Sequence, residues 1–487
     1  MPRTRQDIWK IKDDTLKWYA RAVGVMQKRL VTDPTSWRYQ GAIHGYDPAQ
    51  DPFAKRGEKL PPTAEQDKYW SRCQHGSWFF LSWHRGYLHY FEQMILKAIK
   101  DLKGPADWAL PYWNYSDPTN PKARCLPPAF WDPKFPDGGP NPLLVQERAT
   151  GADKGKPLGS SRSADITECL GKIGFINSSG GAGTNFGGGR TGFAHRGGVP
   201  GALELVPHGS MHDAVGGDDG WMGSFETAAL DPIFWCHHAN IDRLWEVWLR
   251  SDPRHTNPTL AAWLSSIEFD FHDAKGKPVT LKSEQVLDTA SPMLDYVYQD
   301  VSDPLGPHRL AMAASNVPME IERIPEMVGA TDSKGISLGA KPNSVEFAVK
   351  PPAGPALQAR LLAGAASKPE IHLNLENVTA EGRPIHSYVV YVNLPEGANA
   401  ENYPQLAAGL LPKFGIVEAS RESKDHPGDG MNYSFDITQI VSTLEQSKSW
   451  DPKKLRVTFV PHEPDTKRAV APKTNPVKVG RISLYYA

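Results

Sequence analysis

The 487-residue sequence predicts an α + β protein of two domains, a mainly helical domain followed by a β-sandwich. The chain is longer than one ordinary hydrophobic core requires. Every tryptophan except Trp450 precedes residue 300, where apolar residues recur at helical spacing, whereas alternating apolar and polar residues dominate after about residue 340. We therefore predict a helical domain over 1–305, a linker over 306–340 and a sheet domain over 341–487.

Two segments of the first domain place a histidine on an apolar helix face. In HRGYLHYFEQMIL, the residues that recur at the spacing of one face are His84, Leu88, Phe91 and Ile95. HANIDRLWEVWL, which begins at His238, repeats this pattern. Gly/Pro-rich stretches such as FPDGGPNP interrupt the helical patterns and indicate surface loops. We expect both helices to direct their histidines inward.

The second domain has the periodicity of β-strands. In EIHLNLENV, the apolar residues Ile371, Leu373 and Leu375 alternate with polar neighbours, and LRVTFV repeats the alternation. A period of two is typical of half-buried strands. Together with SVEFAVK, SYVVYVNLP and VGRISLYYA, these segments predict a β-sandwich.

Charge and composition exclude several classes of partner. The 54 basic and 55 acidic side chains leave a net charge of -1, which argues against binding to nucleic acid or to an anionic membrane. The N-terminal MPRTRQDIWKIKDDTLKW lacks the apolar run of a secretory signal, and no later run is long enough to span a membrane. We expect a cytoplasmic protein whose four widely spaced cysteines are reduced thiols. A homo-oligomer is compatible with the sequence.

Histidines form the most informative pattern. His208 and His212 in PHGSMHD are spaced so that a helix would project both from one face, close enough to share a metal, although a surface pair is an alternative interpretation. Further histidines supply two sets of three, namely His44, His75 and His84 in one set, and the first pair with the His237/His238 neighbours in the other. Imidazoles in apolar surroundings without a carboxylate suit a buried pair of copper ions.

Two longer motifs resemble one known family. HGSWFFLSWHRGYLHYFE is similar to the copper A signature of the tyrosinase family, H-x(4)-F-x-x-W-H-R-x-x-L-x(3)-E, and DPIFWCHHANID is similar to its copper B signature, D-P-x-F-x-x-x-H-x(3)-D. The resemblance implies a four-helix bundle that holds a binuclear copper site. The implied ligands are His44, His75 and His84 on copper A, with His208, His212 and His238 on copper B.

The family includes tyrosinases, catechol oxidases and haemocyanins. The resemblance implies an enzyme that uses O2 at two copper ions to oxidise small phenolic substrates, converting o-diphenols to o-quinones. True tyrosinases also hydroxylate monophenols, a monooxygenase activity that is left open here. The alternatives are an o-aminophenol oxidase and a haemocyanin-like protein that only binds O2.

The same resemblance assigns roles to residues beside the ligands. Cys73 occupies the position from which some members form a thioether to the second copper A histidine, here His75; a small buried thiol is the alternative. Glu204 stands where the family holds a water that takes a proton from the phenol, unless it is a solvated loop residue. Gly209 follows His208 where many monophenol-hydroxylating members have asparagine, which argues against strong monophenol hydroxylation.

Other positions have weaker assignments. Asp213 follows His212 and could add a second carboxylate at the pocket mouth, and Phe225 occupies the position of a gate over copper A or belongs to the core. Asp242 orients a ligand imidazole or pairs with an arginine on the helix surface. By resemblance the C-terminal domain caps the site and keeps the enzyme latent, with Phe414 in GLLPKFG as a plug or an ordinary interface residue.

The remaining cysteine and histidine candidates are predicted to be structural. Cys236 lies among apolar residues, and His89 falls outside the inward helix face. His195, His255 and His462 are scattered in segments that we interpret as loops.

Overall fold

The computed structural model describes residues 2–306, 325–462 and 476–487, apart from gaps at 12–13, 49–52, 54–56, 136–137, 150, 153–154, 178–182, 194–197, 333, 355–356, 358–368 and 424–425. Two hydrophobic cores organise these residues. The first extends from Ile8 to Tyr298, and the second joins residues 328–486 with Leu205. The predicted α + β class, with a helical part followed by sheets, is confirmed.

Helices dominate the first core. They are α1 (Thr15–Gln27), α2 (Trp37–His44), α3 (Thr63–Tyr69), α4 (Phe80–Asp101), α5 (Thr167–Gly171), α6 (Ser210–Gly216), α7 (Pro232–Ser251) and α8 (Ala261–Leu264). Ser36 caps the N-terminus of α2, and its hydroxyl accepts a hydrogen bond from the Tyr39 amide at 3.1 Å. Among the described residues, no helix combines the length and apolarity needed to cross a bilayer.

The two helices predicted from histidine-bearing apolar faces, α4 and α7, pack against each other. Phe91 of α4 stacks on Trp235 of α7, with ring centroids 3.4 Å apart and an interplanar angle of 9°. Asp231 caps α7 by accepting a hydrogen bond from the Ile233 amide at 3.0 Å, and Pro232 fits the first helical position. This packing fixes the relative positions of His84 and His238.

Four short strands complete the first domain. β1 (Arg3–Arg5) pairs in parallel with β4 (Tyr296–Tyr298), and β2 (Phe269–His272) pairs antiparallel with β3 (Pro278–Leu281). The β1–β4 pair therefore joins the two ends of the helical domain.

The C-terminal part contains two antiparallel sheets around the second core. Its strands are β5 (Glu326–Ala330), β6 (Ile336–Leu338), β7 (Asn343–Phe347), β8 (Ile371–Thr379), β9 (Ser387–Val392), β10 (Ala407–Leu411), β11 (Met431–Asp436), β12 (Leu455–His462) and β13 (Val477–Tyr486). One sheet has the order β10-β9-β12-β7, and the other β11-β8-β13-β5, with β6 also on β13. Two helices, α9 (Ile416–Ala419) and α10 (Thr438–Gln446), connect strands.

Two expectations about this region require correction. β5 and β6 fall inside the segment 306–340 that we predicted to be a linker, and both pair with β13; residues 307–324 lie outside the described residues. β8 is also more buried than a half-exposed strand, because His372 and Asn374 on its polar face are only 3% and 4% exposed. Ser434, which is paired with Asn374, contacts Gly183 and Thr184 of the first domain, so that domain covers this face.

Candidate metal centre

The first set of three predicted ligands converges at one point. His44 is the last residue of α2, His75 lies in the loop before α4, and His84 follows one turn into α4. Their ring centroids are 5.2 to 5.8 Å apart, and each offers a ring nitrogen within 4.8 Å of the others. The arrangement has the dimensions of a three-histidine metal site.

The second set also converges. His208 lies in the helical turn Glu204–Gly209, His212 in α6 and His238 in α7. Val206, in non-helical geometry, precedes both His208 and His212, and Gly209 and Ser210 between them have helical backbone angles, so the two histidines have the helical spacing expected from the sequence. Their centroids are 4.6 to 5.5 Å apart, and the Nε2 atoms of His212 and His238 face each other at 3.3 Å.

The two sets face each other across a shared space. The imidazoles of His84 and His238 stack with centroids 4.4 Å apart at 12°, and His75 lies 5.6 Å from His208. Four helices, α2, α4, α6 and α7, thus each direct one histidine to this centre. Two metal ions bound here would be near neighbours.

Main-chain carbonyl groups orient four of these imidazoles. Nδ1 lies 2.8 to 3.0 Å from a carbonyl oxygen in each case, in the pairs His44 with Phe225, His84 with Phe80, His208 with Glu204 and His212 with Met222. Because a carbonyl oxygen only accepts, Nδ1 carries the hydrogen and the Nε2 lone pair is available to a metal.

The chemistry of this donor set fits copper. In the described part of the chain, no hydrogen-bond partner is found for the buried Nε2 atoms of His44, His84 and His208. Burial lowers the pKa of His44 to about 4 and holds those of His84 and His208 well below their usual value, so the rings are neutral near pH 7. Neutral imidazoles without a carboxylate ligand suit copper ions.

His237 is a residue to which the sequence assigned no role beyond that of a neighbour. It is completely buried, and one of its ring nitrogens lies within 4.8 Å of the ligand nitrogens of His208, His212 and His238. The signal was present in the sequence as the adjacent pair His237–His238. The resemblance to the copper B signature makes His238 the ligand and leaves His237 as its neighbour.

Cys73 lies where the predicted thioether requires it. Its Sγ atom is 3.1 Å from Nδ1 of His75, and the cysteine is completely buried. A covalent link between the two side chains stays a prediction.

Glu204 is buried beside the first set of ligands, and not in a solvated loop. Its Oε1 accepts a hydrogen bond from the Gly76 amide at 2.7 Å, while Oε2 has no partner among the described residues. Burial raises the pKa of Glu204 to about 8, although the amides of Gly76, Gly201 and Ser77 oppose the rise. Without a nearby cation the group would thus be largely protonated at neutral pH.

Asp213 contacts the C-terminal part. The sequence predicted it at an open pocket mouth, and the structure corrects this. Its Oδ2 accepts hydrogen bonds from the amides of Lys413 and Phe414 at 2.8 and 3.3 Å, and from the Ser387 hydroxyl at 3.3 Å. Burial raises its pKa to about 6, against the effect of Lys413 and these amides. Asp213 therefore holds the loop 412–415 against the helical domain.

Two phenylalanines cover the centre. Phe225 stacks on His75 with centroids 4.1 Å apart, as expected for a residue over the first set of ligands. Phe414 stacks on His212 at 4.0 Å and 10°, and lies 4.7 Å from Phe225. This loop packs against Gly209, where a Cβ would be in ordinary van der Waals contact with Phe414 Cβ and Pro412 Cγ, each 3.7 Å away. The C-terminal loop thus occupies the space in front of the histidines.

The other candidates lie away from the centre. His255 stacks on Trp248, His462 hydrogen-bonds Ser160, and His89 contacts Tyr90. Burial raises the pKa of the Cys236 thiol. His195 lies outside the described residues.

Asp242 pairs with arginines, as the second alternative drawn from the sequence predicts, but the pair is buried and does not lie on the helix surface. It accepts hydrogen bonds from Arg85 at 2.5 Å and Arg5 at 3.3 Å, and from the hydroxyl groups of Tyr296 and Tyr298 at 2.5 Å each. This network joins β1, α4, α7 and β4 behind the histidines.

Comparison with known families gives three matches along the chain. Residues 34–251 match the common central domain of tyrosinase, residues 258–307 the polyphenol oxidase middle domain, and residues 324–487 a domain of unknown function. The first match covers all the histidines of the centre.

Full-length relatives and solved structures agree with these matches. A tyrosinase of Hahella sp. (strain CCB-MM4) is 38% identical over 505 residues, covering 99% of both chains, and a chloroplastic polyphenol oxidase of Malus domestica is 28% identical, covering 96% of this chain and 75% of the relative. The structure of a latent apple tyrosinase superposes with a TM-score of 0.61 at 23% identity, covering 100% of this chain and 97% of that one. The structure of a latent aurone synthase superposes with a TM-score of 0.63 at 19% identity, covering 100% of this chain and 90% of that one.

Proposed function

The chain belongs to the tyrosinase family of copper oxidoreductases, and on this premise we propose that it uses O2 to oxidise o-diphenols to o-quinones. The observation that carries the proposal is the arrangement of two facing sets of buried, neutral imidazoles. His44, His75 and His84 would hold one copper ion, and His208, His212 and His238 the other. When bound, the copper pair would supply the binding of O2 and the acceptance of two electrons from the substrate.

Aromatic residues determine what enters such a site. Phe80 lies 4.7 Å from His208, and Phe234 lies 4.2 Å from His238, so apolar side chains back the ligands and exclude water. Phe225 is positioned to stack on the ring of a flat substrate. A small phenol fits these surroundings better than an anionic or bulky polar compound.

Glu204 is our candidate for handling the phenol proton. Its Oε2 is buried and has no partner among the described residues, which suits an acceptor for a bound water. Bound cations nearby would favour the carboxylate over the acid and so oppose the effect of burial on its pKa. A water held there would take the hydroxyl proton as the substrate loses two electrons and two protons to become a quinone.

Gly209 favours o-diphenols over monophenols. It supplies no side chain to hold that water, and the space beside it is taken by Pro412 and Phe414. Hydroxylation of a monophenol begins with loss of a proton from a weakly acidic phenol, so a poorly held water should affect it most. We expect monophenol hydroxylation to be slow.

The C-terminal part should keep the resting enzyme latent. Phe414 stacks on His212 where a substrate ring would approach, and Asp213 holds its loop through two amides. The apple tyrosinase and aurone synthase that share this fold are described as latent forms. Displacement or cleavage of the cap would then admit substrate.

A Phe414→Ala variant tests the proposal. Copper-loaded wild type and variant are assayed for quinone formation from 4-methylcatechol, p-cresol and o-aminophenol. We expect the variant to oxidise the catechol at least about tenfold faster than the wild type, because no ring blocks the histidines, and to oxidise p-cresol slowly. Oxidation of o-aminophenol alone, or of none of the three compounds, would contradict the proposed substrate class.

A further inference from the structure

The second set of histidines contains one more imidazole than a three-histidine copper site uses. His237 is completely buried, and within the described residues neither of its ring nitrogens has a hydrogen-bond partner. Burial of an imidazole without partners costs stability, so its presence requires a reason. The mechanism above gives His237 no task.

His237 lies beside the second set of histidines and not beside the first. The centroid of its ring lies 4.8 Å from that of His212, 5.4 Å from that of His208 and 5.2 Å from that of His238. His238 also stacks on His84 of the first set and lies 6.2 Å from His44. Because the ring contacts of His237 in the described structure involve the second set and Tyr115, it lies on the side of that set away from the first.

The distances allow His237 to reach the same ion. Two imidazoles that share a metal, each roughly 2 Å from it, have donor atoms at most about 4 Å apart. The donor atoms of His208, His212, His237 and His238 lie within 4.8 Å of one another. Changes of up to about 1 Å in these separations would therefore suffice, and His237 has no hydrogen bond to break among the described residues.

Resting on the proposed copper function, we propose that His237 is an auxiliary ligand of copper B that holds the incoming Cu(I) ion together with His208 and His212. The ion then moves to His238 by ligand exchange: the bond to the His237 nitrogen breaks as the bond to the His238 nitrogen forms. Both imidazoles are neutral before and after, and no electron or proton is transferred. His208 and His212 stay fixed by their carbonyl hydrogen bonds during the exchange.

Copper binding by variants of the full chain tests this role directly. The copper-free proteins are loaded with Cu(I) in competition with bicinchoninate, and bound copper is counted by mass spectrometry. We expect His238→Ala to retain two copper ions per chain, because three imidazoles remain on the copper B side. The double variant His237→Phe/His238→Ala should retain one. A single copper ion in His238→Ala would overturn the proposal.

The rate of loading gives a second test in which the final site is intact. His237→Gln should reach two copper ions but take up the second at least about tenfold more slowly than the wild type. His89→Gln, which replaces a buried histidine outside both sets, is the control and should load at the wild-type rate. Uptake by His237→Gln at the wild-type rate would show that the residue is only structural.

Failure of the proposed function would look different. A wild-type chain that binds no copper would remove the basis of both proposals. If the wild type binds two copper ions, then a single copper ion in His238→Ala, or uptake by His237→Gln at the wild-type rate, would overturn this inference alone.

Discussion

Four ligand imidazoles are held in the same way, by a hydrogen bond between Nδ1 and a main-chain carbonyl. Two of those carbonyls, from Phe225 and Met222, belong to the loop 217–231 between α6 and α7. This loop therefore fixes the tautomer and the direction of His44 and His212, although it contributes no ligand. The orientation of these two imidazoles should therefore depend less on the side chains of the loop than on its backbone path.

The ligands themselves could be predicted from sequence, whereas their supports could not. The resemblance to the tyrosinase family implies all six histidines, three of which, His75, His84 and His238, lie within its two signatures. A carbonyl that orients a ring has no signature, because every residue has one and only the loop path selects it. The environment of Asp213 was missed for the same reason, since its partners at 413 and 414 are mainly backbone amides.

Loss of one ligand from the first set should remove one metal ion. We expect His84→Ala and His44→Ala each to reduce bound copper from two ions per chain to about one, because two imidazoles remain in the first set and hold Cu(I) much less tightly than three. Copper is counted by mass spectrometry after gel filtration. His89→Ala should retain both ions, and two ions in either ligand variant would contradict the assignment.

Among the elements, α4 and α7 carry both the ligands and the charges that fix them. Arg85 lies one residue after His84, and Asp242 lies one turn after His238. Their hydrogen bond at 2.5 Å, supported by Arg5 and two tyrosines, prevents the helices from sliding past each other. The network thus maintains the distance between His84 and His238.

Asp242→Asn should weaken the helical domain. The change leaves Arg85 and Arg5 buried without their shared anion, which typically costs about 3 kcal/mol. We expect the thermal midpoint of the full chain to fall by roughly 5–10 °C at pH 7. An unchanged midpoint in a thermal scan followed by circular dichroism would contradict this role.

Low pH should reduce the difference in stability between the wild type and Asp242→Asn. Burial alone would raise the pKa of Asp242, but Arg85 and Arg5 outweigh it and hold the pKa below its usual range. A lowered pKa in the folded state contributes stability above the unfolded value of about 4, and that contribution is lost as the pH falls through the folded pKa. The wild type should therefore approach the stability of Asp242→Asn below about pH 4.

Apolar periodicity predicted the long elements but not the short ones. α4 and α7 bury continuous faces, which makes the helical period visible. β5 and β6 have only five and three residues and pair along β13, so their sequences EMVGA and ISL show little alternation. β8 alternates but is buried on both faces, because the helical domain covers its polar face.

At the scale of the whole molecule, the two parts meet at the copper ligands. The sequence predicted two cores, and family resemblance suggested a cap, but the contact itself joins residues about 200 positions apart. Phe414 lies in the segment GLLPKFG, whose sequence does not show what its ring contacts. Only the packed structure identifies it as the residue in front of His212.

Asp213→Ala should loosen this contact. It removes the acceptor of two amide hydrogen bonds, and hydrogen bonds to a charged group contribute about 1.5–3 kcal/mol each. We expect the rate with o-diphenol to rise about tenfold or more in the intact chain. Asp218→Ala is the matched control, because the partly exposed Asp218 carboxylate pairs with the Lys413 ammonium at 3.6 Å, and the hydrogen bond that Asp218 accepts from Arg383 is to its main-chain carbonyl.

Copper content must accompany that assay, since Asp213 is adjacent to His212. A faster rate with two copper ions per chain supports release of the cap. An unchanged rate with full copper content would show that Asp213 does not hold the cap closed.

Oxygen consumption by copper-loaded Phe414→Ala with 4-methylcatechol is the most direct test of the proposed function. We predict one O2 consumed for every two quinones formed, with the activity lost on removal of copper, restored on its return and absent from the corresponding His84→Ala chain. Reversible O2 binding without quinone formation, or oxidation that persists without copper, would contradict the assignment of this centre as a phenol oxidase.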